Sequence, residues 1–216
     1  MFNNKQFLRS ERRLHANRPV ITAVLCAFIS IPTAYADGRA HEAHWVGVQA
    51  GLSQPKAKGS DFDQAANYGV SAGYWLTDSL AVEAGATALR DAKEDGADNR
   101  GSYVLTAESD EAYVGPRLVI GRRSNWLFFV GGGLLHSQLN LENKEEFYGL
   151  KVGGTKSTSN SATGYYAIGG VTLAPSGGLS FSAFARYRHR PDIISTYQGD
   201  LDLDDTGGVV SLDWRF

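Results

Sequence analysis

From residue 46 to the C-terminus, apolar and polar side chains alternate in eight stretches of about ten residues. Successive strand side chains point to opposite faces, so a two-residue period marks a strand with unlike faces. The pattern is plainest in the last stretch. Val210, Leu212, Trp214 and Phe216 share one face, against Ser211, Asp213 and Arg215. From Leu179 to Arg188, Leu179, Phe181, Ala183, Ala185 and Tyr187 oppose Ser180, Ser182, Phe184, Arg186 and Arg188. Ala112, Val114, Pro116, Leu118 and Ile120 oppose Tyr113, Gly115, Arg117 and Val119. Leu80, Val82, Ala84, Ala86 and Ala88 oppose Ala81, Glu83, Gly85 and Thr87. Tyr68 to Leu76 and Val46 to Leu52 alternate likewise, with Gly47, Gln49 and Gly51 on the polar side of the latter. Trp126 to His136 and Gly164 to Leu173 are apolar on both faces and leave their registers open. Aromatic position turns Trp126 and Phe128 outward.

The links between these stretches alternate in length. Thr77-Asp78-Ser79, Gly121 to Asn125 and Ala174 to Gly178 are short and rich in turn-forming residues. The others, residues 53–66, 89–107, 138–160 and 189–205, read as long loops. Strands of about ten residues joined alternately by short turns and long loops describe a tilted barrel wall in a membrane. Both chain ends then lie on the periplasmic side. The expected fold is all-β: an eight-stranded antiparallel up-and-down transmembrane β-barrel. A soluble barrel around a ligand uses the same alternation with the faces exchanged. Three features favour the membrane version. The polar face is sparse and small. Tyr74, Trp126, Phe181, Trp214 and Phe216 fall near short turns or the C-terminus, and Tyr68, Tyr165 and Tyr187 near long links, as two interfacial girdles would. The chain stops on an aromatic residue.

Composition is compatible with this. Hydrophobic residues make up 43% of the 216 positions, and mean hydropathy is −0.25. Those values suit a barrel whose strands hide apolar residues between polar ones. No stretch after residue 36 reaches the roughly 18 apolar residues of a membrane helix. Residues 1–36 read as a cleaved signal peptide, and 37–216 as the barrel domain. Lys5, Arg9, Arg12, Arg13 and Arg18 form its basic region, Val20 to Ile31 its apolar core, and Ala34-Tyr35-Ala36 its small-x-small cleavage site. Ala34 and Ala36 are the cleavage-site residues. A twin-arginine route for Arg12-Arg13 is set aside, because a barrel crosses the inner membrane unfolded. Cys26, the one cysteine, lies in the apolar core after Leu25, which is too large for a lipoprotein signal. The mature chain therefore lacks disulfides, cysteine metal sites and thiol chemistry. It carries 16 basic and 22 acidic residues, without a basic patch. Nucleic acid is excluded as a partner, and no cofactor is expected.

The segments Gly73-Tyr74-Trp75-Leu76-Thr77-Asp78-Ser79-Leu80-Ala81-Val82-Glu83 and Val209-Val210-Ser211-Leu212-Asp213-Trp214-Arg215-Phe216 resemble the OmpA-like family of outer-membrane barrels. Trp45 to Gly51 is similar to that family's first strand. The resemblance covers residues 44–216. It implies Leu212, Trp214 and Phe216 as a C-terminal signal read by the barrel-assembly machinery. It also implies outer-membrane lipid and lipopolysaccharide as surroundings. By this resemblance, the peptidoglycan-binding domain that follows the barrel in larger members is not expected here.

An eight-stranded barrel has an interior just wide enough for side chains to fill. Gln49, Glu83, Tyr113, Arg117, Arg186, Arg188, Asp213 and Arg215 face that interior and are expected to form a charge-paired plug. A narrow ion conduit through the same network is the alternative. His136-Ser137, followed by Glu142 and Glu145, invites a lipid A hydrolase reading. Adjacent strand residues point to opposite faces, which places that pair badly for catalysis. Asp200, Asp202, Asp204 and Asp205 suggest a calcium loop, but Asp205 and Ser211 stand where Gly and Glu are required. A solvated acidic loop countered by Arg188 and Arg190 is the plainer account, with a weak cation site open. Gly131-Gly132-Gly133 relieves crowding in a strand. The resulting expectation is a non-enzymatic outer-membrane barrel with a role in envelope integrity. Its surface loops, 89–107 and 138–160 above all, leave adhesion to an extracellular ligand open.

Overall fold

The computed structural model describes residues 44–57, 60–98, 101–121, 125–147, 150–151, 156–174, 178–196 and 199–216. The signal segment, with Cys26, Ala34 and Ala36, lies outside the described residues. Eight long strands form the wall: β1 (His44–Ala57), β3 (Ala65–Trp75), β4 (Leu80–Asp98), β5 (Gly101–Ile120), β6 (Trp126–Phe147), β8 (Lys156–Leu173), β9 (Leu179–Thr196) and β10 (Gly199–Arg215). Two-residue strands β2 (Ser60–Asp61) and β7 (Leu150–Lys151) pair with β1 and β6. Each long strand pairs antiparallel with the next long strand along the chain. β10 then pairs with β1, from Trp45↔Arg215 to Ala57↔Leu203, and closes the ring.

The apolar face is outside. Val48, Ile120, Phe128, Leu134, Val210 and Trp214 are each more than half exposed, as a wall meeting hydrocarbon requires. The two strands without a clear period take their registers from this rule. Trp126, Phe128, Val130 and Leu134 point out, while Leu127, Phe129, Leu135, Tyr166 and Ile168 point in. Trp126, Phe128, Phe181, Trp214 and Phe216 are exposed at the end that holds the short connections, and Tyr68 and Tyr165 toward the other. The barrel's first and last residues meet at the short-turn end: His44 and Phe216 exchange backbone hydrogen bonds of 3.3 and 3.2 Å. One short turn is held by Thr77 Oγ1, which accepts from the Ser79 and Leu80 amides. Gly121 and Gly178 flank the other two at φ +92° and +82°, where only glycine is unstrained. In the triple-glycine segment of β6, a β-carbon at Gly133 would lie 2.2 Å from the Val114 carbonyl oxygen, so that strand approach needs glycine.

The long links are a correction to the sequence reading. Most of residues 53–57, 89–98, 101–107, 138–147, 156–160 and 189–196 continue the strands rather than form loops. β6 alone has 22 residues, about twice the 9–11 that cross a bilayer. The cause is an inversion of the alternation. Beyond the tyrosine girdle the outside is water, so outward positions become polar (Glu108, Asp110, Asn140, Ser159). Inward positions become apolar (Leu89, Ala107, Leu139, Ile193). A β-bulge at Leu89/Ala92, with Asp91 at φ 59°, keeps Ala92 facing inward on β4. The register of β8 with β9 runs from Tyr165↔His189 to Leu173↔Phe181, and that of β3 with β4 from Ala66↔Arg90 to Trp75↔Ala81. Beyond them the Asn160 side-chain amide donates to the Ile193 carbonyl at 3.0 Å, and the Asp63 amide to the Lys93 carbonyl at 2.7 Å. Among the described residues these two seams thus carry fewer backbone pairs toward the end away from the short turns, while the belt below is closed.

Candidate functional site

The inward face carries one continuous hydrogen-bonded column. At the short-turn end, Asp213 on β10 accepts from Ser182 Oγ at 3.0 Å, and Ser182 meets Thr172 at 2.8 Å. Arg117 on β5 donates to Thr172 at 3.4 Å and pairs with Glu83 on β4 at 2.9 Å. Its guanidinium also stacks 3.6 Å above the Phe129 ring. Tyr113 donates to Glu83 and accepts from Gln49, each at 3.1 Å. Arg186 donates to Gln49 at 3.3 Å and to Asn67 at 2.5 Å. Asn67 donates to Ser53 at 3.4 Å, and Ser53 accepts from Arg188 at 3.0 Å.

The column ends in a buried ion cluster. Arg188 bonds Glu111 with one nitrogen and Asp205, at 2.7 Å, with the other. Arg190 reaches the same two carboxylates, at 2.6 Å to Glu111 and 3.5 Å to Asp205. Thr87 and Ser137 donate to Glu111 at 3.2 and 3.3 Å. All four charged groups are at most 2% exposed. A lone charge at such a site costs several kcal/mol, so the groups stand only as a mutually bonded set. Four arginines (117, 186, 188, 190) face four carboxylates (83, 111, 205, 213) along the column.

Above the cluster the lumen becomes apolar. Phe62, Leu89, Leu139, Ile193 and Leu203 pack together there, each at most 1% exposed, with Ala65, Ala92 and Ala107. Below, Tyr113 and Tyr166 meet edge to face at 4.9 Å, within a second cluster that includes Phe129, Leu135 and Ile168. The Arg188–Glu111–Arg190–Asp205 cluster therefore lies between two apolar layers, and the Arg117–Glu83 pair is set within the lower one.

Seven of the eight residues expected inside are members of the column: Gln49, Glu83, Tyr113, Arg117, Arg186, Arg188 and Asp213. Arg215 is half-buried and lines the short-turn mouth beside Trp45, Trp75 and Asp213. Leu212, Trp214 and Phe216 all point outward and are exposed. Sequence reasoning did not place Glu111, Arg190 and Asp205 in the lumen. Continuing each alternation would have found them: Glu111 shares parity with Tyr113, Arg190 with Arg188, and Asp205 with Asp213.

The remaining candidates separate. His136 is exposed and meets Thr163 at 3.2 Å, whereas Ser137 is buried against Glu111. They occupy opposite faces of the wall. The acidic run disperses too. Asp205 lies in the ion cluster. Asp204 faces outward and accepts from Tyr187 at 2.9 Å and His189 at 2.8 Å. Asp202 caps the Asp192 amide at 3.0 Å. Among the described residues no group of His, Cys, Asp and Glu is arranged to hold a metal ion.

A profile of the family described as outer membrane protein beta-barrel domain matches residues 21–216. A comparison with curated proteins returns no match. Among solved structures, Neisserial surface protein A superposes with a TM-score of 0.53 at 14% identity, over 80% of this chain and 97% of that one. The outer membrane protein OprG from Pseudomonas aeruginosa gives 0.52 at 11% identity, over 83% and 99%. Those two share the fold. An outward apolar belt, an inward charged column and a family match across nine-tenths of the residues agree: the chain belongs to the outer membrane protein beta-barrel domain family and is an eight-stranded barrel of the outer membrane.

Proposed function

We propose that this protein is a sealed, non-enzymatic structural barrel. It ties the outer membrane to a strand platform held above the surface, where an extracellular ligand can be met. The observation that carries this reading is the filled lumen. An ion passing through must break the Arg188–Glu111–Arg190–Asp205 set and cross the Phe62–Leu139–Ile193 layer, where nothing replaces its hydration. The opposite facing of His136 and Ser137 supports a non-catalytic wall, since a nucleophile and its base need hydrogen-bond contact. The polar outward faces of β4, β5, β6 and β8 beyond the belt support the display role. Export by a signal cleaved after Ala36 belongs to the same reading.

Planar-bilayer recording tests the seal. The purified barrel is expected to give no discrete openings, and unitary steps in the unaltered protein would overturn it. Lipid A mass spectrometry with and without the protein is expected to show the same acyl pattern.

A further inference from the structure

The outer wall is not smooth. A hollow of about 600 Å³ opens on the outward face across β6, β8, β9, β10 and β1. Cross-strand register sets Trp126 beside Leu173, Leu173 beside Phe181, and Phe181 beside Leu212. These large side chains form a raised border on the short-turn side. The next row is lower: Ala183 pairs with Val210, and Val210 with Ala50. Ala50 and Ala183 thus leave low ground on either side of Val210, behind a border of Trp126, Leu173, Phe181 and Leu212.

We propose that this hollow binds one acyl chain of a periplasmic-leaflet phospholipid. The proposal rests on the reading of the outer face as a lipid-facing belt, with the short turns on the periplasmic side. The hollow is continuous with that belt, and its border residues Trp126 and Phe181 belong to the girdle beside the short turns. That height selects a phospholipid of the inner half of the membrane over lipopolysaccharide in the outer half. A second copy of the chain fits poorly. A two-fold contact sets the same patch against itself, so two hollows would face each other across a void. Atoms lining an unfilled gap lose their contacts on one side. Between apolar partners in a membrane, such packing decides association. A thin, flexible chain of methylenes fills the hollow where a flat wall cannot.

Native mass spectrometry of the barrel purified from outer membranes in mild detergent tests the site. One phospholipid mass is expected to remain on the folded barrel. Ala50→Phe with Ala183→Phe is expected to remove it, while Ala86→Phe, on the outward face of β4, leaves it. No retained lipid, retention undiminished by the double replacement, a retained lipopolysaccharide, or a retained second chain would each overturn the proposal. Heat-modifiable gel migration and pelleting with outer membranes separate the two levels. Their absence in the unaltered protein defeats the membrane reading, whereas their presence without bound phospholipid defeats the site alone. Should the double variant not fold, tryptophan quenching decides with single replacements. Trp214→Phe and Trp126→Phe share Trp45 and Trp75 and differ only in which outer tryptophan remains. In vesicles containing dibrominated phosphatidylethanolamine, total tryptophan emission is expected to be quenched at a lower brominated fraction in Trp214→Phe, which keeps Trp126, than in Trp126→Phe, which keeps Trp214. Equal curves would overturn the site.

Discussion

Arg190, wholly buried on β9, donates from Nε to Glu111 Oε1 on β5, 2.6 Å away across the lumen. Glu111 also pairs with Arg188, so one carboxylate offsets two guanidinium groups. Removing one partner of such a set leaves an uncompensated buried charge. Glu111→Gln is therefore expected to destabilise the barrel by about 3–5 kcal/mol, read as a lower urea midpoint at unchanged slope. The same change in an Arg190→Met background should cost less, because the charge it strands is already gone. Equal costs in both backgrounds would show that the pair is uncoupled.

Trp45 on β1 lies against Gly73 on β3, its register partner. A β-carbon at Gly73 would sit 1.9 Å from the Trp45 ring. Gly73→Ala must displace that ring, and overpacking of this kind costs about 1–3 kcal/mol. The expected outcome is a lower unfolding midpoint together with a change in tryptophan emission that disappears when Trp45 is replaced. Trp45→Ala is expected to relieve most of the added penalty.

Six of the eight membrane-crossing strands were legible in register because hydrocarbon outside and charge inside write a strict two-residue period. Leu212, Asp213, Trp214 and Arg215 show it within four residues. The stretches 126–136 and 164–173, apolar on both faces, showed their place but not their register. The ion cluster was less legible. Glu111, Arg190 and Asp205 stand where the outward face stops being apolar, and the period looks broken there although the strand continues. The change of solvent from lipid to water reverses which face is greasy, and reading apolar residues alone mistakes that reversal for a loop. The Arg188–Asp205 bond spans 17 positions along the chain, a separation that no local pattern encodes.

The apolar layer at the extracellular end makes a further test. Leu139→Ala leaves a cavity beside Ile193 and Leu203, expected to cost about 2–5 kcal/mol. Bilayer recordings of this variant should stay silent, because the ion cluster beneath still blocks the lumen. Openings in Leu139→Ala alone would mean that the apolar layer is the whole barrier.

Asp204 gives a pH dependence at the outer rim. Burial raises its carboxyl, but hydrogen bonds from His189 and Tyr187 outweigh this and leave it below the ordinary range. A depressed folded-state value means stability that is present above the unfolded value, about 3.9, and lost as pH falls through the folded one. Asp204→Asn should lower the urea midpoint at pH 7 by a small amount, since the side chain is 47% exposed. The gap from the unaltered protein should close once acid protonates Asp204.

The thinner backbone pairing of β8 with β9 above Tyr165 predicts uneven amide exchange. Residues 165–173 of β8 have backbone ladder partners on both sides, whereas residues 156–163 pair along the ladder with β6 and reach β9 through the Asn160 side chain. Hydrogen exchange should be markedly faster in the upper segment, where opening needs fewer bonds to break. Uniform protection along β8 would argue for a closed rim in the membrane.

Closure of the wall by β10 also balances charge. That strand brings both Asp205 and Asp213, while all four arginines of the column belong to β5 and β9. A sheet lacking its last strand holds four fixed cations against two glutamates, a cradle with surplus positive charge. β10 thus serves as a counter-ion as well as a wall segment, and the column's four arginines meet four carboxylates only in the closed ring.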